Sequence, residues 1–159
     1  MWSHSQSKVC EVKSEYIIGA DGGVAFEDGL DRGRVLISGE STGQAYSLME
    51  LTVASRGAEV GFGPHFHENI DEVFVVRKGT LEFLLGSEVT VLVEGDVTRV
   101  QSGSRHGYRN VSGEPVELWV WFTPGGFEQL FVKYRTDQAN LDEDGFMIEA
   151  TSSFASHFE

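Results

Sequence analysis

The stretch GFGPHFHENIDEVFVVRKG, residues 61–79, sets two histidines one residue apart, a carboxylate five positions further on and a glycine at its close. Side chains two apart on a β-strand share a face, so His65 and His67 present both imidazoles to one volume. ENID, 68–71, reads as a turn, after which Glu72 opens a second strand and its carboxylate can return to the same face. Phe74 and Val76 share the parity of Glu72 and are candidates to line the same pocket. The segment is thus a β-hairpin whose inner face carries ionisable groups where aliphatic ones are the rule.

A third histidine, His106, lies in GDVTRVQSGSRHGYRN, residues 95–110, again at the start of a strand after a glycine-containing turn. Of the five histidines, His4 and His157 fall in the terminal segments and the other three belong to this constellation. Neutral imidazoles with one carboxylate form a mixed nitrogen and oxygen set suited to one divalent transition metal per chain, such as Fe, Mn, Ni, Co, Cu or Zn. Four protein ligands, His65, His67, Glu72 and His106, leave one or two positions open, as a reactive site requires and a structural one does not. Tyr108 shares parity with His106 and is a candidate catalytic hydroxyl, with packing in the core as its alternative. Asn110 is expected to tie a turn.

These residues resemble the two signature motifs of the cupin superfamily. The first, HxHxxxxExxxxxxG, is met by His65, His67, Glu72 and Gly79; the second, GxxxxxPxGxxHxxxN, by Gly95, Gly103, His106 and Asn110. Gln101 replaces the proline of the second motif, and Glu59 stands where the first usually begins with glycine, both at turn positions. The resemblance covers about residues 45–123 and implies an all-β double-stranded β-helix, or jelly-roll, barrel with the four residues above as metal ligands. FTPGGFEQLF, residues 122–131, is similar to the exit segment of small single-domain cupins related to flavonol (quercetin) dioxygenases, a branch that also holds polyketide cyclases. The implied function is a metal-dependent enzyme acting on a small aromatic or enolisable metabolite, most closely a quercetin dioxygenase-like oxygenase. Glu72 would then be catalytic, ligating the metal and taking the substrate's hydroxyl proton. A non-oxidative isomerase or cyclase and a non-catalytic small-molecule-binding cupin are the alternatives. The resemblance also implies a homodimer joined through edge strands.

Outward from the hairpin, short β-like runs follow one another from EYIIG, 15–19, to VELWVWF, 116–122. Gly86–Ser87 reads as a two-residue hairpin loop and Gly95–Asp96 as the next turn. One domain is expected over 1–159, with an N-terminal strand or arm over 1–32, a barrel core over about 33–123 and a helical segment over 125–159. In that segment Phe127, Leu130, Phe131 and Tyr134 recur at helical spacing, and 142–158 is a candidate second helix. Trp119 and Trp121 oppose Leu118, Val120 and Phe122 on the last strand, and parity alone does not say which face is inside. Arg99, Arg105 and Arg109 gather round the second motif and are expected in solvent or at an interface.

Asp and Glu total 25 against 12 Lys and Arg, for a formal charge of −13 that repels phosphate backbones and anionic headgroups. A small-molecule substrate is expected, with no nucleic-acid and no membrane partner. Cys10 is the only cysteine, so no intramolecular disulfide forms. Residues 1–30 lack the apolar core of a signal peptide and no run approaches a membrane span, so a cytoplasmic location is expected.

Overall fold

The computed structural model describes residues 17–28, 31–55, 61–136 and 156–158. Strands β1 (Val24–Asp28), β2 (Asp31–Ile37) and β3 (Ser47–Val53) precede the hairpin of β4 (Gly61–His67) and β5 (Asp71–Lys78). Then come β6 (Thr80–Leu85), β7 (Glu88–Val93), β8 (Val97–Val100), β9 (His106–Arg109) and β10 (Val116–Thr123). Helix α1 (Gln129–Thr136) and strand β11 (Ser156–Phe158) follow. All pairings are antiparallel, in two sheets ordered β1-β2-β3-β10-β5-β8 and β11-β4-β9-β6-β7. This is the jelly roll that the resemblance implies.

Alternation decides which side chains fill the space between the sheets. Met49, Leu51 and Val53 of β3, Phe74 and Val76 of β5, Leu81 and Phe83 of β6, and Leu118, Val120 and Phe122 of β10 form one buried cluster. The parity left open on β10 is settled: Trp119 and Trp121 face outward, with rings perpendicular at 6.2 Å and the Arg77 guanidinium 3.9 Å above Trp119. They cannot line an interior site.

Gly79, which closes the first motif, joins β5 directly to β6 at φ +91°, a conformation L side chains rarely adopt. Gly86–Ser87 joins β6 to β7 as a two-residue loop.

The exit segment begins as a turn, and its helix covers Gln129–Thr136, so Phe127 precedes it. The candidate helix over 142–158 lies outside the described residues except for 156–158, which form a strand instead. There the free edge of β4 accepts a ladder, with Ser156 opposite His67 and Phe158 opposite His65. Of the EYIIG run, residues 17–19 are described and lie outside any strand. Among the described residues no helix is long and apolar enough to cross a membrane.

Candidate metal centre

The two sheets bring the four predicted ligands together. His65 and His67 come from β4, His106 sits directly opposite His65 on β9, and Glu72 reaches across from β5 of the facing sheet. One ligand atom from each lies within 4.8 Å of every other. All four residues are buried, at 4 %, 2 %, 3 % and 1 % exposure for His65, His67, Glu72 and His106. Oε2 of Glu72 stands 2.6 Å from Nε2 of His106 and 3.6 Å from Nε2 of His67.

Backbone carbonyls orient two of the imidazoles. Nδ1 of His65 lies 2.8 Å from the Gly63 carbonyl and Nδ1 of His106 lies 3.0 Å from that of Ser104. A carbonyl only accepts, so each Nδ1 carries the hydrogen and each Nε2 keeps a lone pair for the cluster. Despite their approach, Oε2 of Glu72 and Nε2 of His106 do not complete a hydrogen bond of acceptable geometry. Leaving buried polar atoms unsatisfied is costly. One cation among them satisfies both, so the donor set fits a borderline divalent transition metal.

Electrostatics keep two rings in the ligating form. Burial, helped by the neighbouring His106 and His67 rings, lowers His65 to about 4 against the opposing pull of the Gly63 carbonyl and Glu72. Burial and the His106 ring lower His67 to about 3. Burial also pulls His106 down, but the Glu72 carboxylate and the Ser104 carbonyl leave it raised on balance. The metal-free protein should therefore lose stability in acid. A histidine whose folded pKa is depressed contributes stability above its unfolded value near 6.5 and loses it as pH falls towards the folded value. The cost by pH 5 is on the order of 2 kcal/mol each for His65 and His67. His106, shifted upward, contributes in the opposite sense and offsets part of it. Urea midpoints of metal-free protein should fall from pH 7 to pH 5, and His65→Asn with His67→Asn should flatten that slope.

The turn that delivers His106 is clamped to the first hairpin. Gly103 N–H donates to the His67 carbonyl at 2.7 Å, and Ser102 N–H donates to Oδ1 of Asp71 at 2.8 Å. Oδ2 of Asp71 accepts from Arg99 at 2.6 Å. The Ser102 N–H, with help from Arg99, holds the Asp71 carboxyl below the usual carboxylate range against the opposing effect of burial. Sequence reading missed Asp71, whose only signal was an acidic residue beside a ligand and of opposite parity. Asp71→Ala is expected to weaken metal binding about 10-fold, at the lower end of what outer partners contribute, while the fold persists. Competition with a chromophoric chelator measures it.

A pocket of about 330 Å³, mouth included, opens on His65, His67 and Glu72. Its other walls are Met49 and Leu51 of β3, Phe74 of β5, Tyr108 of β9, Val120 and Phe122 of β10, and Phe127 and Phe131 of the exit segment. Tyr108 is half-buried, with its ring 6.0 Å from that of Phe74, so parity placed both correctly. Val76 is buried in the core and does not line the pocket. Nor do the arginines: Arg99 pairs with Asp71, Arg109 with Glu82, and Arg105 donates to the Gly86 carbonyl. Asn110 is structural, donating to the carbonyls of Val53, Ala54 and Glu114 and accepting from Ser112.

Two antiparallel sheets closing on a buried three-histidine, one-carboxylate cluster define a class of β-barrel able to hold a metal ion. The cupin-domain family model matches residues 52–122, a span containing all four cluster residues, which identifies that segment as a cupin domain. Quercetin 2,3-dioxygenase of Bacillus subtilis (strain 168) is 31 % identical over 97 residues, which are 61 % of this chain and 28 % of that protein. The chain thus spans little more than a quarter of that relative's length. Among solved structures, KdgF from Halomonas sp. superposes with a TM-score of 0.56 at 19 % identity, over 64 % of this chain and 87 % of that one. A sugar phosphate isomerase of the cupin superfamily from Silicibacter pomeroyi gives 0.56 at 16 % identity, over 68 % and 75 %. At such identities the solved structures speak for the fold alone.

Proposed function

We propose that the protein is a metal-dependent cupin oxygenase of the quercetin dioxygenase-like kind, acting on a small aromatic or enolisable metabolite with adjacent oxygen donors. The observation that carries the reading is the buried His65, His67, Glu72 and His106 cluster opening onto a pocket whose other walls are apolar but for Tyr108. The similarity to a quercetin 2,3-dioxygenase supports oxygen chemistry over the other reactions such a cluster permits.

His65, His67, Glu72 and His106 would hold a divalent transition ion, which when bound would supply Lewis acidity that lowers the pKa of a substrate hydroxyl. Glu72 takes the released proton on Oε1, leaving to the ion Oε2, the oxygen that faces His106 and His67. His65 and His67, kept neutral by burial, do not compete for it. Phe74, Phe122 and Phe127 exclude water, so the enolate is not reprotonated from solvent. Among the described residues Tyr108 offers the only hydroxyl on the pocket's walls and donates a hydrogen bond to a substrate oxygen.

Protein loaded with iron, manganese, cobalt or nickel should consume dioxygen with one-ring hydroxy-ketones or catechols, in proportion to substrate lost. Loss of substrate at the same rate without dioxygen would overturn the oxygenase reading in favour of an isomerase or cyclase. Tight binding with no product would make the protein a binding module.

A further inference from the structure

The exit segment TPGGFE, residues 123–128, runs from the end of β10 to the start of α1 along the pocket. Its phenylalanine and glutamate occupy two unlike environments. Phe127 is 7 % exposed, and its ring meets that of the ligand His67 edge-on at 4.6 Å and that of Phe122 at 5.1 Å. It therefore forms a pocket wall in direct contact with the His67 ring. Glu128, 1 % exposed, points the other way. Its Oε1 accepts the Gly39 N–H and its Oε2 accepts the Gly126 N–H, both at 2.7 Å.

Those two bonds tie the backbone just before Phe127 to the loop that precedes β3. The tie is reinforced where the segments touch: Gly125 N–H donates to the Gln44 carbonyl at 3.0 Å. A Cβ on Gly39 would lie 2.4 Å from the Gly126 nitrogen, and one on Gly125 would lie 2.6 Å from the Tyr46 carbonyl oxygen. Backbone packs on backbone there, so Phe127 is carried on a segment with little freedom to withdraw. A buried carboxylate is an expensive way to hold a surface turn. What it holds is the ring against His67.

We propose that Phe127 is the specificity-determining wall of the pocket and that Glu128 is the residue that positions it. Together they limit the ligand to about one ring beyond its metal-binding oxygens. The space agrees in direction: the cavity behind the mouth is about 30 Å³, room for about two waters, so a ligand much larger than its metal-binding end must press on a wall or stay in the mouth. The inference rests on the reading that the ligand binds at the His65, His67, Glu72 and His106 cluster.

The test uses metal-loaded full-length protein and probes sharing one chelating head. These are a 3-hydroxy-4-pyrone with one ring, 3-hydroxychromone with two and 3-hydroxyflavone with three. Binding is read from the absorbance of the metal chelate, so no turnover is needed. Wild type should bind the one-ring probe about tenfold or more tighter than the three-ring probe, the scale on which apolar pockets discriminate by size. Phe127→Ala should erase that ratio while metal content stays unchanged. Glu128→Gln keeps the shape but offers one of the two N–H groups an amide donor, and should move the ratio the same way by a smaller factor. In the Phe127→Ala background Glu128→Gln should leave the ratio where it is, because Glu128 acts through Phe127.

A Glu128→Gln protein with a lower melting temperature and an unchanged ratio would overturn the positioning role. A ratio unchanged in Phe127→Ala would overturn the wall. Wild type that prefers the three-ring probe would sink the size limit while leaving the metal-centred reading intact. Metal-loaded protein that binds none of the probes would instead sink that reading, and the inference with it.

Discussion

Replacing His65 and His67 together by alanine is expected to abolish metal retention, from about one ion per wild-type chain to none measurable. Loss of an outer partner of a ligand typically costs about 10- to 100-fold in metal affinity. Loss of two direct ligands from β4 should then cost at least about four orders of magnitude. The remaining pair, Glu72 and His106, would still lie 2.6 Å apart, but two donors do not hold a borderline ion against water. The fold should survive, because Leu81, Val116 and Leu118 bury fully without any help from the cluster. Elemental analysis beside circular dichroism of both proteins, each stripped and reloaded, separates loss of the site from loss of structure. A variant that keeps stoichiometric metal would show that the ion is held elsewhere, and a wild type that never binds one would remove the metalloenzyme altogether.

The four-residue cluster was legible in the sequence because it depends on two things a sequence displays directly: period-two alternation and turns marked by glycine. His65 and His67 needed only parity on β4, and the short ENID turn returned Glu72 to the same interior. His106 needed more, since it joins from a different hairpin. What brings it in is its register opposite His65 and the clamp through Asp71 and the His67 carbonyl. Neither the clamp nor its acid had a pattern to betray it. The outward turn of Trp119 and Trp121 was likewise hidden, because both faces of β10 are apolar and alternation fixes a difference between faces without saying which is inside. The tail shows the opposite failure. Helical spacing over 142–158 is a local signal, and at 156–158 the open edge of β4 overrides it with a ladder. The pocket's far walls were invisible for a third reason: Met49, Phe127 and Phe131 come from segments distant in the chain. Nothing local connects them to the histidines.

Glu72→Gln is expected to separate holding the metal from using it. Glutamine keeps the volume and one oxygen donor in a site 3 % exposed, so it changes little in the packing around Phe74 and His106. It removes the negative charge and, with it, the group that accepts the substrate's proton. Metal affinity should fall about 10- to 100-fold, a loss that excess metal restores. Turnover should not be restored: at saturating metal it should stay about 10²- to 10⁴-fold below wild type, the usual worth of a positioned general base. A second readout isolates the proton itself. A bound hydroxy-ketone probe should show the absorbance of its anion in wild type and of its neutral form in Glu72→Gln, at a pH where the free probe is neutral. His106 cannot substitute, since once its Nε2 lone pair is committed to the ion it has none to receive a proton. If Glu72→Gln at saturating metal turns over at the wild-type rate and binds the probe as its anion, the carboxylate is a ligand only. The acidity supplied by the ion would then suffice, and solvent at the pocket mouth would carry the proton away.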